Sequence, residues 1–210
     1  MFRVVEAVTA LDPDAVALEI APIATPLFRS YARRGDADPD TVSASSPSGG
    51  EMSAAIGAAG DARTIGIDLP NAAAIGPVSG TLRAESLSAR DALRVGRAFG
   101  TQTLHAVRCR LSHAASRVGV DIDPDLDRGR APDARAGSPV EQAAEEDAAV
   151  SAGKTLLRAL SRPPATAAFD RAREAAMTEE LRALRRDGSD VVAVLGHAHL
   201  DPIAERLEGE

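Results

Sequence analysis

Apolar positions along this chain follow two rhythms, one belonging to helices and one to short buried strands. Phe2, Val4, Val5, Val8 and Leu11 recur at helical spacing. Asp12-Pro13 stops that run, because the residue before a proline is pushed out of helical geometry. Residues 14–21 (Asp-Ala-Val-Ala-Leu-Glu-Ile-Ala) then read as a strand with Glu19 near its C-terminal end. Residues 34–50 are mostly Asp, Ser, Gly and Pro, which is loop composition, and a short helix is expected from 49 to about 59. Arg63 to Leu69 reads as a second buried strand that carries Asp68 and is closed by Pro70. Strand, helix and strand in this register imply a right-handed parallel unit.

The second half is mostly helical. Residues 86–118 place Val95, Phe99, Val107, Leu111 and Val118 on one side, with Gly96 and Gly100 as candidate breaks. A polar loop covers about 121–137. Ser138-Pro-Val-Glu141 starts another helix, with Ser as N-cap, Pro in the first position and Glu closing a capping box. That helix runs to about Leu160 and ends at Arg162-Pro-Pro. The next is expected from about Ala167 to Arg186, with an apolar stripe of Phe169, Met177, Leu181 and Leu184. At about 100° per residue Arg173 falls inside that stripe. An arginine so placed either snorkels out to water or answers a buried carboxylate.

Asp190 to Leu195 is a short valine-rich run, read as the last buried strand. Gly196 breaks it, His197 and His199 follow in the turn, and a helix is expected from Asp201-Pro202. The expected fold is α/β: a small parallel or mostly parallel sheet flanked by helices. It forms a single domain over residues 1–210, with a helical insertion over about 76–165.

Composition narrows the setting. At 210 residues the chain can bury an ordinary core, but aromatics make up only 2%, so small aliphatic side chains must fill it. Acids outnumber bases by 31 to 24, and the net charge of −7 argues against broad nucleic-acid binding, which needs a basic face. Lys154 is the lone lysine, a bias that suggests a high-GC genome and a salt-rich cytoplasm. Cys109 stands alone, so no internal disulfide is expected. Met1-Phe-Arg-Val-Val-Glu lacks the apolar run of a leader. No stretch approaches the roughly 20 apolar residues of a spanning helix. The expectation is a soluble, cytoplasmic protein without a membrane span.

The candidate chemistry lies at strand ends. Glu19, Asp68 and the histidine pair His197/His199 each sit at or just past the C-terminal end of an expected strand. Glu51 opens the short helix. In parallel strands these positions converge on one edge of the sheet, where ligands of open α/β sheets usually bind. Carboxylates and imidazole together suit a divalent metal, or a general base with its orienting partner. A rival line of His105, Cys109 and His113 has spacing i, i+4, i+8, but its ends lie about 12 Å apart along a helix. A solvated polar face is the simpler reading of that line. The Gly153-Lys154-Thr155 fragment lacks the earlier glycine of a phosphate-binding loop.

Taken in order, several segments resemble the TraB/PrgY family, relatives of the Tiki proteins. They are Pro13-Asp-Ala-Val-Ala-Leu-Glu19, Gly50-Glu-Met-Ser-Ala-Ala-Ile56, Ile65-Gly-Ile-Asp68, Arg173-Glu-Ala-Ala-Met177 and Val192-Ala-Val-Leu-Gly-His-Ala-His199. Gly196 and His199 fit the family's Gly-x-x-His motif. The resemblance spans residues 13 to about 204, although the insertion matches little. It implies an α/β core with a site formed by Glu19, Glu51, Asp68, Arg173 and His199, and a divalent metal held by His199 and Glu51. Tiki relatives are regarded as metal-dependent proteases, and the TraB/PrgY branch is linked to shutting down peptide pheromone signals. The implied function is metal-dependent hydrolysis of peptides, or regulatory peptide binding by a relative that keeps the pocket without the chemistry. There are departures. The family opens with a strand and a first Gly-x-x-His motif, and this chain starts after both, so the resemblance implies one metal-binding histidine fewer than in the family. Leu69 stands where an arginine is usual, and Ala172 where an acid is expected.

Overall fold

The computed structural model describes residues 2–36, 50–71, 80, 87–116 and 163–209. Among them are six α-helices and a three-stranded sheet. The elements are α1 (Phe2–Leu11), β1 (Ala15–Leu18), α2 (Thr25–Asp36), α3 (Gly50–Ala58), β2 (Arg63–Gly66), α4 (Ala89–Ser116), α5 (Pro164–Arg186), β3 (Val191–Val194) and α6 (His197–Glu208). The sheet order is β2-β1-β3 and both pairings are parallel, with Ala15 opposite Arg63 on one side and Val191 on the other. The fold is α/β, with helices on both faces of the sheet.

The central strand explains the layers. All four residues of β1 are fully buried, and successive side chains point to opposite faces. Val16 and Leu18 join Val8, Leu27, Phe28, Ala55 and Val194 in a core against α1, α2 and α3. Ala17 joins Met177, Leu181, Leu184 and Ile203 in the core against α5 and α6. A strand covered on both sides must be apolar throughout, which is why it lacks the alternation of a half-exposed strand. Beyond Gly66 the second strand still tracks the first, since Ile67 donates to Leu18 and Asp68 to Ile20, at 3.0 and 3.1 Å.

Four expectations are corrected here. The helix over 89–116 is unbroken across Gly96 and Gly100. Its buried side is Val95, half-buried Phe99 and Gln102, and Ala106, whereas Val107 and Leu111 are exposed. The packed positions 95, 99, 102 and 106 follow helical spacing, but they include a glutamine and an alanine, so hydrophobicity alone pointed to the wrong side. The last helix starts at His197, with Pro202 inside it. The histidines therefore lie in a helical first turn and not in a loop. Finally, α2 continues to Asp36, into the stretch whose composition predicts a loop. Val118, the polar loop at 121–137 and the helix at 138–160 lie outside the described residues.

Gly66 shows how tightly β2 meets the turn after β1. A Cβ there would lie 2.6 Å from the Ile20 carbonyl oxygen and 2.8 Å from Thr25 Oγ1. Gly96, by contrast, has nothing within 4 Å of such a Cβ. Gly66→Ala is expected to destabilise by about 1–3 kcal/mol through backbone displacement. Gly96→Ala is expected to stabilise by about 0.5–1 kcal/mol, because alanine loses less freedom in a helix. Urea unfolding of the two variants checks both signs.

Candidate functional site

Because the three strands are parallel, their C-terminal ends share one edge. Glu19 follows β1 directly, Asp68 comes two residues after β2, and the Gly196–His199 turn of helix follows β3. The backbone fixes these positions, since Glu19 N–H donates to the Val194 carbonyl at 3.1 Å, tying β1 to β3 just below the site.

Arg173 enters from α5 and joins the edge together. Its Nε donates to Asp68 Oδ1 at 3.0 Å, and its Nη2 donates to Asp68 Oδ2 and to Glu19 Oε1, both at 2.7 Å. Its Nη1 lies 3.2 Å from His199 Nε2. Asp68 is 3% exposed, and Oδ1 also accepts the Leu69 N–H at 2.7 Å. Burial alone would lower the Arg173 pKa. The bonds and charges of Asp68, with those of Glu19, outweigh burial and hold the guanidinium above its ordinary value. The arginine that shared the apolar stripe thus answers two carboxylates.

Glu19 also caps α6. Gly196 precedes the first residue of that helix, and its N–H donates to Glu19 Oε2 at 2.5 Å. A carboxylate here satisfies an orphan donor and faces the positive end of the helix dipole. A Cβ on Gly196 would come within 3.0 Å of Glu19 Oε2, so glycine permits the approach. This contact accounts for the early helix start, because the cap comes from a residue far away in sequence.

His199 is buried in the first turn of α6, with Nδ1 3.1 Å from Glu174 Oε1 and Nε2 3.6 Å from Glu19 Oε1. The Glu174 hydrogen bond pushes the imidazole pKa up. Burial opposes the shift, Glu19 reinforces it and Arg173 opposes it, and the balance stays above the ordinary 6.5. His197, one helical position earlier than Ala198, is exposed.

The structure therefore brings Glu19, Asp68, Arg173 and His199 into one bonded cluster. Glu51 sits in the first turn of α3 and is exposed. On the rival line, His105 is exposed on α4. The side chains of Cys109 and His113 lie outside the described residues.

Two members of the cluster were missed in the sequence. Glu174 is 4% exposed and directly follows Arg173, where a helix pattern gives an acid no special weight. Gln102 reaches in from α4, with Nε2 donating to Asp68 Oδ2 at 2.8 Å and to the Leu69 carbonyl at 3.0 Å. A lone glutamine in a long helix carries no signal of that kind. A polar residue between Val95 and Ala106 in the packed register would have been the clue.

Imidazole nitrogen and carboxylate oxygen are suitable donors for a divalent ion, and His199 Nε2 and Glu19 Oε1 face one another. Arg173 Nη1 competes for the same nitrogen lone pair, so an ion here would require the guanidinium to shift. Among the described residues no group of three or more His, Cys, Asp or Glu side chains is arranged to hold a metal. Also among the described residues, no helix is long and apolar enough to cross a membrane. Comparison with protein-family models, with curated proteins and with solved structures finds no match to this chain.

Two outcomes follow. Removing the guanidinium while keeping apolar bulk, as in Arg173→Met, leaves a buried carboxylate uncompensated and is expected to cost about 3–5 kcal/mol in chemical unfolding. A near-wild-type midpoint would mean that the ion pairs contribute nothing. Raising the His199 pKa on folding stabilises the folded state fully below pH 6.5, and this contribution disappears as pH rises through the folded value. The melting temperature should therefore fall as pH rises above about 6.5 more steeply in the parent than in His199→Gln.

Proposed function

We propose that this chain is a TraB/Tiki-like domain that hydrolyses peptides with a divalent metal, using Glu19, Glu51, Asp68, Arg173 and His199. The observation that carries this reading is the convergence of Glu19, Asp68, Arg173 and His199 at the C-terminal edge of a parallel sheet. Those four residues lie in the segments that resemble the family, in the same order. His199 Nε2 with Glu19 or Glu51 would hold the ion, which when bound supplies a Lewis acid and an activated water. Arg173 and Asp68 keep the edge rigid, and Glu19 keeps α6 in place.

A second reading is favoured by one observation. The guanidinium already bonds both carboxylates and approaches Nε2, which suits a regulatory protein that binds peptides without cleaving them.

Incubating the chain with a mixture of unstructured peptides and Zn²⁺, Mn²⁺ or Co²⁺, followed by mass spectrometry, separates the two. The expected result is ion-dependent cleavage, abolished in His199→Ala and reduced about 100-fold or more in Glu19→Gln. Saturable peptide binding without cleavage would establish the second reading instead. Neither cleavage nor binding would remove both.

A further inference from the structure

Consecutive residues of α5 address the two nitrogens of one imidazole. Arg173 Nη1 lies 3.2 Å from His199 Nε2, and Glu174 Oε1 lies 3.1 Å from Nδ1. A guanidinium has only N–H donors and no acceptor. An ionised carboxylate has only acceptors. For both contacts to be hydrogen bonds, Nε2 must carry the lone pair and Nδ1 the proton. Of the two neutral forms of the ring, the surroundings allow one.

We propose that Glu174 is a positioning residue for His199, holding the imidazole as the Nδ1–H tautomer and presenting the Nε2 lone pair to the edge shared by Glu19 and Arg173. Its role within a peptide site rests on the function proposed above, but the tautomer does not. Several features make Glu174 suited to this. Its side chain is 6% exposed and that of His199 8%, so water does not compete for the bond. Its backbone carbonyl accepts Thr178 Oγ1 at 2.7 Å within α5, in the turn that packs against β1 through Met177. The ring is held from the other end by its place in the first turn of α6, where His199 N–H donates to the Gly196 carbonyl at 2.9 Å. The groups facing the imidazole are thus Glu174 and Arg173 from α5 and Glu19 from the end of β1, with Asp68 acting behind Arg173. Fixing one tautomer through the far ring nitrogen is the usual way a protein readies the near one as a base or ligand.

The test is nitrogen NMR of the histidine-labelled chain, without added metal, at a pH above the His199 titration, with His199→Gln assigning the signal. The parent is expected to show His199 protonated at Nδ1. Glu174→Gln, whose amide oxygen still accepts, should keep that pattern, whereas Glu174→Leu, which leaves only Arg173 to select the tautomer, should add a measurable fraction of the Nε2–H form. A parent signal protonated at Nε2 overturns the proposal even if no variant folds. So does an unchanged Nδ1–H signal in a folded Glu174→Leu. Peptide cleavage measured alongside keeps the two ideas separate. A parent that cleaves nothing but shows Nδ1–H loses the peptide reading alone, and a cleaving parent that shows Nε2–H loses this inference alone.

Discussion

Two carboxylates brought to one sheet edge repel each other and lose water, and this structure depends on the single guanidinium that offsets both. Asp68 is almost wholly buried and Glu19 nearly so, and Arg173 bonds each at 2.7 Å. The attraction between such groups rarely exceeds the cost of desolvating them by much. What it does provide is geometric: Asp68 holds the planar fork through Nε and Nη2, leaving Nη2 to reach Glu19 and Nη1 to reach His199. The positions of β1, β2, α5 and α6 at this edge are therefore mutually dependent. Arg173, carried by α5, bonds a residue at the end of each of the other three.

How much of this was legible depended on whether the cause was local. The strands around residues 16, 65 and 192 could be read from their short apolar runs. The central one is buried on both faces as expected, whereas the two that flank it are only partly buried, with Arg63 exposed. Arg173 was conspicuous because a charge inside an apolar stripe demands a reason. The start of α6 was not legible, since its N-terminal donor is met by Glu19, a residue just past the central strand. Without that cap, Asp201-Pro202 looks like the better beginning. Pro202 instead sits in the second turn and forgoes one backbone bond.

The long helix α4 misled for a related reason. Its packed register contains Gln102, which serves Asp68 and the Leu69 carbonyl, and Ala106, which is small enough to let the helix approach. Leu93, Leu104, Val107 and Leu111 point elsewhere and are exposed. A pattern rule assigns the larger apolar side chains to the core, and here the core contact was given to a hydrogen-bonding side chain. Sequence methods that weigh only hydrophobicity lose sites of this type, because a buried site replaces the apolar residues that would mark the face. Glu174 escaped notice in the same way.

The cluster also has an internal logic set by proton count. With the imidazole neutral, Nε2 can accept from Arg173, and three carboxylates face one cation. Protonation at Nε2 turns that nitrogen into a donor opposite another donor, so the bond to Nη1 cannot persist. The acceptor within reach of the new N–H is Glu19 Oε1, 3.6 Å away, and the same oxygen already accepts from Arg173 Nη2. Glu19 is therefore the group both cations share, and its other oxygen holds the first turn of α6, which carries the histidine. Any change in charge at His199 is thus felt by the helix that positions it. The residue through which it is felt is the one that directly follows the central strand.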